Sequence, residues 1–350
     1  MTLVANQDAR PRAPSDRLPD TAELATALET ATGAPEGTIR VSAVRQLKTN
    51  VYRVTFAYDA DPRAHSFVIK SCNPGLARHN QLVARRWLPL IDLAAGAARL
   101  EGSAADRRGE RIWLVYEDLG LGRLDLCMAD RARVSVAIDL IAALHARSAE
   151  HPMLPDVRAH GGDLGEAYLI ANVRDAVRAL AQLRAPRVAL SAVQQRVRDR
   201  LLGRLQLLQN ELPRRVQMLE QDGGPEVLLH GDLWTTNAFV TESPDGWCAR
   251  FVDWDHAGVG RASYDLSTFL LRFPAEERSW ILDRYRTAMG DRWHVPERRD
   301  LNAHLETAEL ARYANRAIWP AVAWLVDGAN WAFEELAMVA GWFDDWRPVL

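Results

Sequence analysis

The spacing of apolar positions changes period part-way along the chain. From residue 39 to residue 116 they come in short alternating runs, 39–44, 51–58, 65–70 and 111–116, each rich in β-branched or aromatic side chains. Alternation over that length predicts strands, and the stretch 76–90 between the third and fourth runs predicts a helix. After Gly120 the period lengthens: Val134, Ile138, Ile141 and Leu144 fall on one helical face that leads to His145. Ser191 with Gln194 three residues on is a capping-box signature. Val193, Val197, Leu201, Leu205 and Leu208 then continue an apolar stripe. Beyond residue 274 the chain is helical again and holds many of its twelve tryptophans.

These elements predict an α+β chain of two lobes. A polar, proline-containing tail, 1–20, precedes a small antiparallel β lobe with one helix, 21–120, and a larger, mainly helical lobe follows, 121–350. One β-like island, 226–255, interrupts the helical part. Composition adds exclusions. Net charge is −3 with acids and bases interspersed, so the chain carries no footprint for nucleic acid or an anionic membrane. The first twenty residues hold no apolar run, and no stretch has the length of a membrane span. Cys72, Cys127 and Cys248 lack metal-ligand spacing, and so sparse a set points to a reducing compartment, the cytoplasm.

The island carries the chemistry. VLLHGDLWTTNAFV (227–240) and WCARFVD (247–253) are apolar runs on either side of Pro244-Asp245-Gly246, a turn in which proline presets φ and glycine supplies a positive φ. A hairpin centred on Asp245 sets Asn237 opposite Asp253. An amide oxygen and a carboxylate suit Mg²⁺, which takes few protein ligands beside phosphate oxygens. Asp232, five residues before Asn237, sits on the loop entering the hairpin, where it can accept a proton from an attacking hydroxyl. His-x-Asp-x-x-x-x-Asn alone recurs by chance in roughly one chain in fifty of this length, so the added weight rests on the hairpin and on Gly258 beyond it.

HGDLWTTN (230–237) and FVDWDHAG (251–258) resemble the signature segments of the aminoglycoside phosphotransferase-like kinases, a family that includes choline and fructosamine kinases. The resemblance implies a protein-kinase-like fold and ATP or GTP as phosphoryl donor. By it Asp232 is the catalytic base, Asn237 and Asp253 hold Mg²⁺, and His230 and Asp265 support the site. Phe67-Val-Ile-Lys70 fits the strand lysine that holds the α- and β-phosphates, although a lysine closing a strand is commonly just a solvated edge. Lys48, Thr49 and Asn50 resemble the nucleotide loop. LVYEDL (114–119) looks like the hinge, with Glu117 and Leu119 beside the purine. Two departures stand out. The 48–50 loop has no glycine, and 76–90 has no carboxylate where the lysine's acidic partner is expected. Either Asn80 or Gln81 replaces that ion pair with a hydrogen bond, or an acid arrives from elsewhere.

Asp253 is followed within a dozen residues by the helical run 265–271, which leaves no room for a peptide-docking segment. The acceptor is therefore expected to be a small hydroxylated molecule. An antibiotic is the favoured class, an aminoglycoside or a nucleoside- or sugar-containing compound inactivated by phosphorylation. The alternatives are a primary-metabolite kinase acting on choline, an amino sugar or a hydroxy amino acid, and a nucleotide-binding pseudokinase. Trp319, Trp324 and Trp331 are read as flat walls of the acceptor pocket or as core. Glu334, Glu335, Asp344 and Asp345 are read as contacts to a cation or as solvated acids. Trp331 and Glu334 are the acceptor-side choices.

Overall fold

A computed structural model describes residues 21–185, 188–244, 246–293 and 295–350; the expected tail, 1–20, and the hairpin's centre, Asp245, lie outside them. The chain divides into two compact units, residues 1–122 with 250–255, and residues 123–249 with 256–350.

The first unit begins with α1 (Thr21–Thr32) and builds one antiparallel sheet from β1 (Ile39–Lys48), β2 (Val51–Tyr58), β3 (Asp61–Cys72), β4 (Leu100–Ala105) and β5 (Ile112–Glu117), in the order β1-β2-β3-β5-β4. Alternation in β2 sends Tyr52, Val54 and Phe56 to one face. There they pack with Ile69, Trp113 and Val115 under Leu24, Ala27 and Leu28 of α1. Gly102 of β4 permits the helix to lie this close, since a Cβ there would come within 2.9 Å of the Ala31 backbone. On the opposite face Leu114 and Cys72 meet Ala77. Ala77 belongs to α2 (Pro74–Leu82), which opens with proline at its first turn and the Asn73 side chain accepting from Leu76 N at 2.9 Å. The helical path continues through a π turn, Val83–Trp87, into α3 (Leu88–Leu90).

The strands expected from alternation are all present: β1 and β3 run longer, β2 has the expected bounds, and β5 is shifted by one residue. Two elements were not foreseen. β4, Leu-Glu-Gly-Ser-Ala-Ala, is poor in β-branched residues and takes its conformation from pairing with β5. α1 does show Leu24, Ala27 and Leu28 at helical spacing, but it lies beside a polar segment that masks its outline.

The second unit holds α4 (Arg131–Ser148), α5 (Leu154–Gly161), α6 (Glu166–Gln182), α7 (Ala192–Asp222), α8 (Ser263–Leu270), α9 (Ala275–Met289), α10 (Arg298–Asp327) and α11 (Trp331–Asp345). Its core joins α6, α7, α10 and α11. The capping box forms as expected: Gln194 N donates to Ser191 Oγ at 3.3 Å and Ser191 N to Gln194 Oε1 at 2.9 Å. Val193 departs from the expected stripe and is 60% exposed, whereas Leu201, Leu205 and Leu208 are buried. Four short strands interrupt the helices. β6 (Glu226–Leu229) pairs antiparallel with β9 (Gly258–Arg261), and β7 (Ala238–Ser243) pairs with β8 (Gly246–Phe251). Gly246, at the start of β8, has the positive φ, 113°, that the turn asked of it. Among the described residues no helix is long and apolar enough to cross a membrane.

Candidate active site

Each unit gathers its own set of polar groups. In the second unit the loop from His230 to Asn237 is pinned from beneath by a buried carboxylate. Asp265 lies in the first turn of α8, all eight residues of which are buried. Its Oδ2 accepts from His230 N at 2.7 Å and its Oδ1 from Gly231 N at 2.9 Å. His145 Nε2 approaches the same carboxylate at 3.4 Å, and its other nitrogen, Nδ1, bonds Tyr285 Oη at 2.9 Å. Burial opposes the charge on Asp265, but His145, His230 and the backbone N–H outweigh it and hold its pKa below the ordinary carboxylate value. Gly231 is required by shape: its φ is 81°, and a Cβ would lie 1.9 Å from the His256 carbonyl oxygen. Each of these features fixes the path of the loop before any side chain acts.

On that loop His230 Nδ1 accepts from Asp232 N at 3.3 Å. A 3₁₀ turn, Thr235–Asn237, then swings Asn237 back, so that its Nδ2 donates to Asp232 O at 2.9 Å and to Asp232 Oδ2 at 3.2 Å. The amide is 2% exposed, and its Oδ1 is buried without a hydrogen-bond partner. A buried amide oxygen left unpaired is costly unless a donor or a cation meets it. The orientation therefore fits the expected metal role: the amide N–H₂ orders the carboxylate beside it, and the oxygen is left for a cation. Asp265 bonds the backbone of His230 and Gly231, with His145 and Tyr285 behind it as a further tier that the sequence did not reveal.

In the first unit Lys70, on β3, reaches two carboxylates at once, Asp253 Oδ1 and Asp255 Oδ1, each at 2.6 Å. Burial works against the ammonium charge, but the two acids outweigh it and its pKa is raised. Asn80 of α2 donates to Asp255 Oδ1 at 2.8 Å and accepts from Tyr116 Oη at 3.3 Å. This settles the alternative left open by the sequence. The acid does come from elsewhere, from Asp255, and Asn80 secures that acid rather than replacing it. Gln81 turns instead to Ser103 at 3.0 Å. Asp253 has a φ of 67°, a left-handed conformation uncommon outside glycine, of the kind that concentrates at functional positions. His79 Nε2 bonds the Trp254 carbonyl at 2.9 Å, holding the segment between the two acids.

The other expected nucleotide residues are placed as follows. Thr49 and Asn50 form a two-residue turn between β1 and β2, with Lys48 paired to Val51. Asn50 supplies the positive φ, 61°, that glycine would otherwise provide, and its carbonyl accepts from Ser71 N at 2.8 Å. Glu117 ends β5 with its carboxylate occupied by Arg99 N at 2.7 Å and Arg250 at 2.8 Å. Leu119 follows Asp118, which is tied to Ser66 Oγ at 2.6 Å and Arg53 at 2.7 Å.

The acceptor-side residues are less gathered. Trp331 opens α11 and Glu334 is exposed on it; no hydrogen bond or ion pair among the described residues joins either to the 230–237 loop. Trp319 is 64% exposed, while Trp324 packs edge-on against Phe333. Glu335 pairs with Arg316 at 2.8 Å, and Asp344 with Arg200 and with Arg204 at 2.9 Å.

The architecture has solved counterparts. A spectinomycin phosphotransferase, APH(9)-Ia, in complex with ADP and spectinomycin, superposes with a TM-score of 0.55 at 12% identity, over 89% of this chain and 94% of that one. A Plasmodium vivax ethanolamine kinase gives a TM-score of 0.55 at 10% identity, over 87% of this chain and 80% of that one. At these identities the likeness shows the fold, that of the kinase-like small-molecule phosphotransferases. No curated protein matches the sequence closely enough to count as a relative. The description that does match is that of the phosphotransferase enzyme family, APH, across residues 44–304. The chain belongs to that family.

Proposed function

We propose that the protein is a small-molecule kinase that moves the γ-phosphoryl group of ATP or GTP to a hydroxyl of its acceptor. The observation that carries this reading is the Asp232–Asn237 pair: one amide orders a carboxylate with its nitrogen and leaves its buried oxygen for a cation. In this reading Asp232 positions the acceptor hydroxyl and takes its proton as the new O–P bond forms and the bond to the nucleoside diphosphate breaks. Asn237 and Asp253 are the proposed Mg²⁺ ligands; the ion, when bound, neutralises charge on the phosphates. Lys70 orients the α- and β-phosphates, with Asp255 holding its ammonium in place. Thr49, Asn50 and the backbone of Glu117 and Leu119 are assigned to the nucleotide. The ion pair of Lys70 with Asp255 supports the kinase reading over a pseudokinase, since it gives the lysine an acid that residues 76–90 lack.

For the acceptor, the ion pairs of Glu335 and Asp344 bear on charge. Both acids are already neutralised by arginine, whereas Glu334 and Asp345 of the same helix stay exposed and, among the described residues, in no ion pair. An aminoglycoside, a sugar- or nucleoside-containing antibiotic and a hydroxylated primary metabolite all agree with that surface. The test is incubation with Mg²⁺, ATP or GTP and a panel of hydroxylated antibiotics and metabolites, followed by mass spectrometry. A product one phosphoryl group heavier, requiring Mg²⁺, is the expected result. Nucleotide that binds but is never consumed with any acceptor would return the protein to the pseudokinase class.

A further inference from the structure

Two residues beyond Asp232, the ring of Trp234 carries the guanidinium of Arg272, stacked 3.9 Å from the ring centroid. Arg272 lies two residues past α8 and is half-buried. Its Nε is buried without a partner, and among the described residues its side chain makes no hydrogen bond and no ion pair. Buried cations in proteins are ordinarily paired, because an aromatic face returns only part of what desolvation costs. Burial accordingly lowers the pKa of Arg272 below the usual arginine value, in spite of the attraction of Glu309.

The groups around it do not repair this. Glu309 is the nearby carboxylate, and it makes its hydrogen bonds elsewhere: its Oε1 accepts from Ser267 Oγ at 2.8 Å and from Arg312. Arg312 is further held by Ser267 Oγ at 2.9 Å and by the Tyr264 carbonyl, and it stacks on the Tyr264 ring. Arg278 spends its donors on the Phe273 and Val349 carbonyls, at 2.9 and 2.8 Å. Arg272 and Arg312 both face Glu309, and Arg272, the one without a hydrogen bond, is the one stacked on Trp234 of the 230–237 loop.

We propose that Arg272 is an acceptor-binding residue that takes an anionic group, a carboxylate or a phosphate, on the molecule whose hydroxyl is phosphorylated. The inference rests on the assignment of Asp232 as base: Trp234 lies two residues beyond it on the same loop, and Arg272 is stacked on that ring. A planar guanidinium with free N–H groups is matched to a carboxylate or phosphate edge, and Trp234 holds the plane of that fork. The substrate class becomes a hydroxy acid, a sugar acid or a phosphorylated hydroxyl compound.

The test is calorimetric titration of the full chain, first with MgADP and then, with MgADP saturating, with malonate and with its neutral counterpart 1,3-propanediol. Malonate is expected to bind and propanediol not to bind. Arg272→Gln is expected to weaken malonate by about tenfold or more, and Arg272→Lys by less, since the charge is kept and the fork is lost. Equal malonate affinity in Arg272→Gln, or none in the parent chain, overturns the proposal. So does an acceptor without any anionic group whose kcat/KM is unchanged in Arg272→Gln. Failure of MgADP to bind removes the kinase reading and the subsite with it. MgADP binding without malonate binding removes the subsite alone.

Discussion

The 230–237 loop and the lysine cluster reach order by opposite means. The loop from His230 to Asn237 is held from within: one fully buried carboxylate, Asp265, receives two consecutive backbone N–H groups, and a glycine fits where no Cβ can. The Lys70 cluster is held by charge. Its ammonium and two carboxylates are drawn from β3 and from residues 253–255, with side chains 14%, 33% and 19% exposed. Buried hydrogen bonds fix geometry whatever the salt, whereas a partly exposed ion triad can rearrange when phosphates and a cation arrive. The comparison teaches a division of labour: the proposed base is built rigid, and the lysine proposed for the phosphates is held by groups that can exchange partners.

That division can be broken at its rigid side first. Asp265→Ala strands two backbone donors and His145 in a buried place, and is expected to cost about 3–5 kcal/mol of stability, read as a large fall in Tm. The acid limb of the stability curve should change as well. Asp265 has its pKa lowered in the folded state, so its contribution is present above the unfolded carboxylate pKa of about 4 and is lost as pH falls through the folded value. Asp265→Asn should therefore flatten acid unfolding below about pH 4, and an unchanged acid limb would show that the carboxylate is not the anchor.

The charged side should yield smaller effects, confined to nucleotide handling. Asp255→Asn keeps the shape but removes one of the two charges on Lys70. Expected is a loss of about tenfold to a hundredfold in kcat/KM for the nucleotide, with Tm nearly unchanged. Asn80→Ala acts one step further out, through Asp255, and should cost about fivefold to tenfold in the same parameter. Steady-state kinetics with nucleotide varied decide both. If Asn80→Ala proved more damaging than Asp255→Asn, Asn80 would be contacting nucleotide itself.

The two regions also differ in how far they could be read from sequence. The loop was legible because its parts are contiguous: His230, Asp232 and Asn237 fall within eight residues, and the glycine and turn residues carry their own backbone chemistry. The partner of Lys70 was not, because Asp255 lies 185 residues away and its tether Asn80 looks like any helical amide. The missing acid in 76–90 was a true signal that something had to replace it, although sequence alone could not say what. Strand β4 and the Arg272–Trp234 stack escaped for the same reason, since pairing and stacking are decided by the fold and leave little trace in local composition.

The most direct test of the central claim is turnover and nucleotide affinity measured side by side for Asp232→Asn. The account predicts a fall in kcat of about 10²–10⁴, the usual worth of a positioned base, with the nucleotide Kd within about threefold of the parent chain. Turnover retained in full would contradict it, and the base would have to be sought elsewhere.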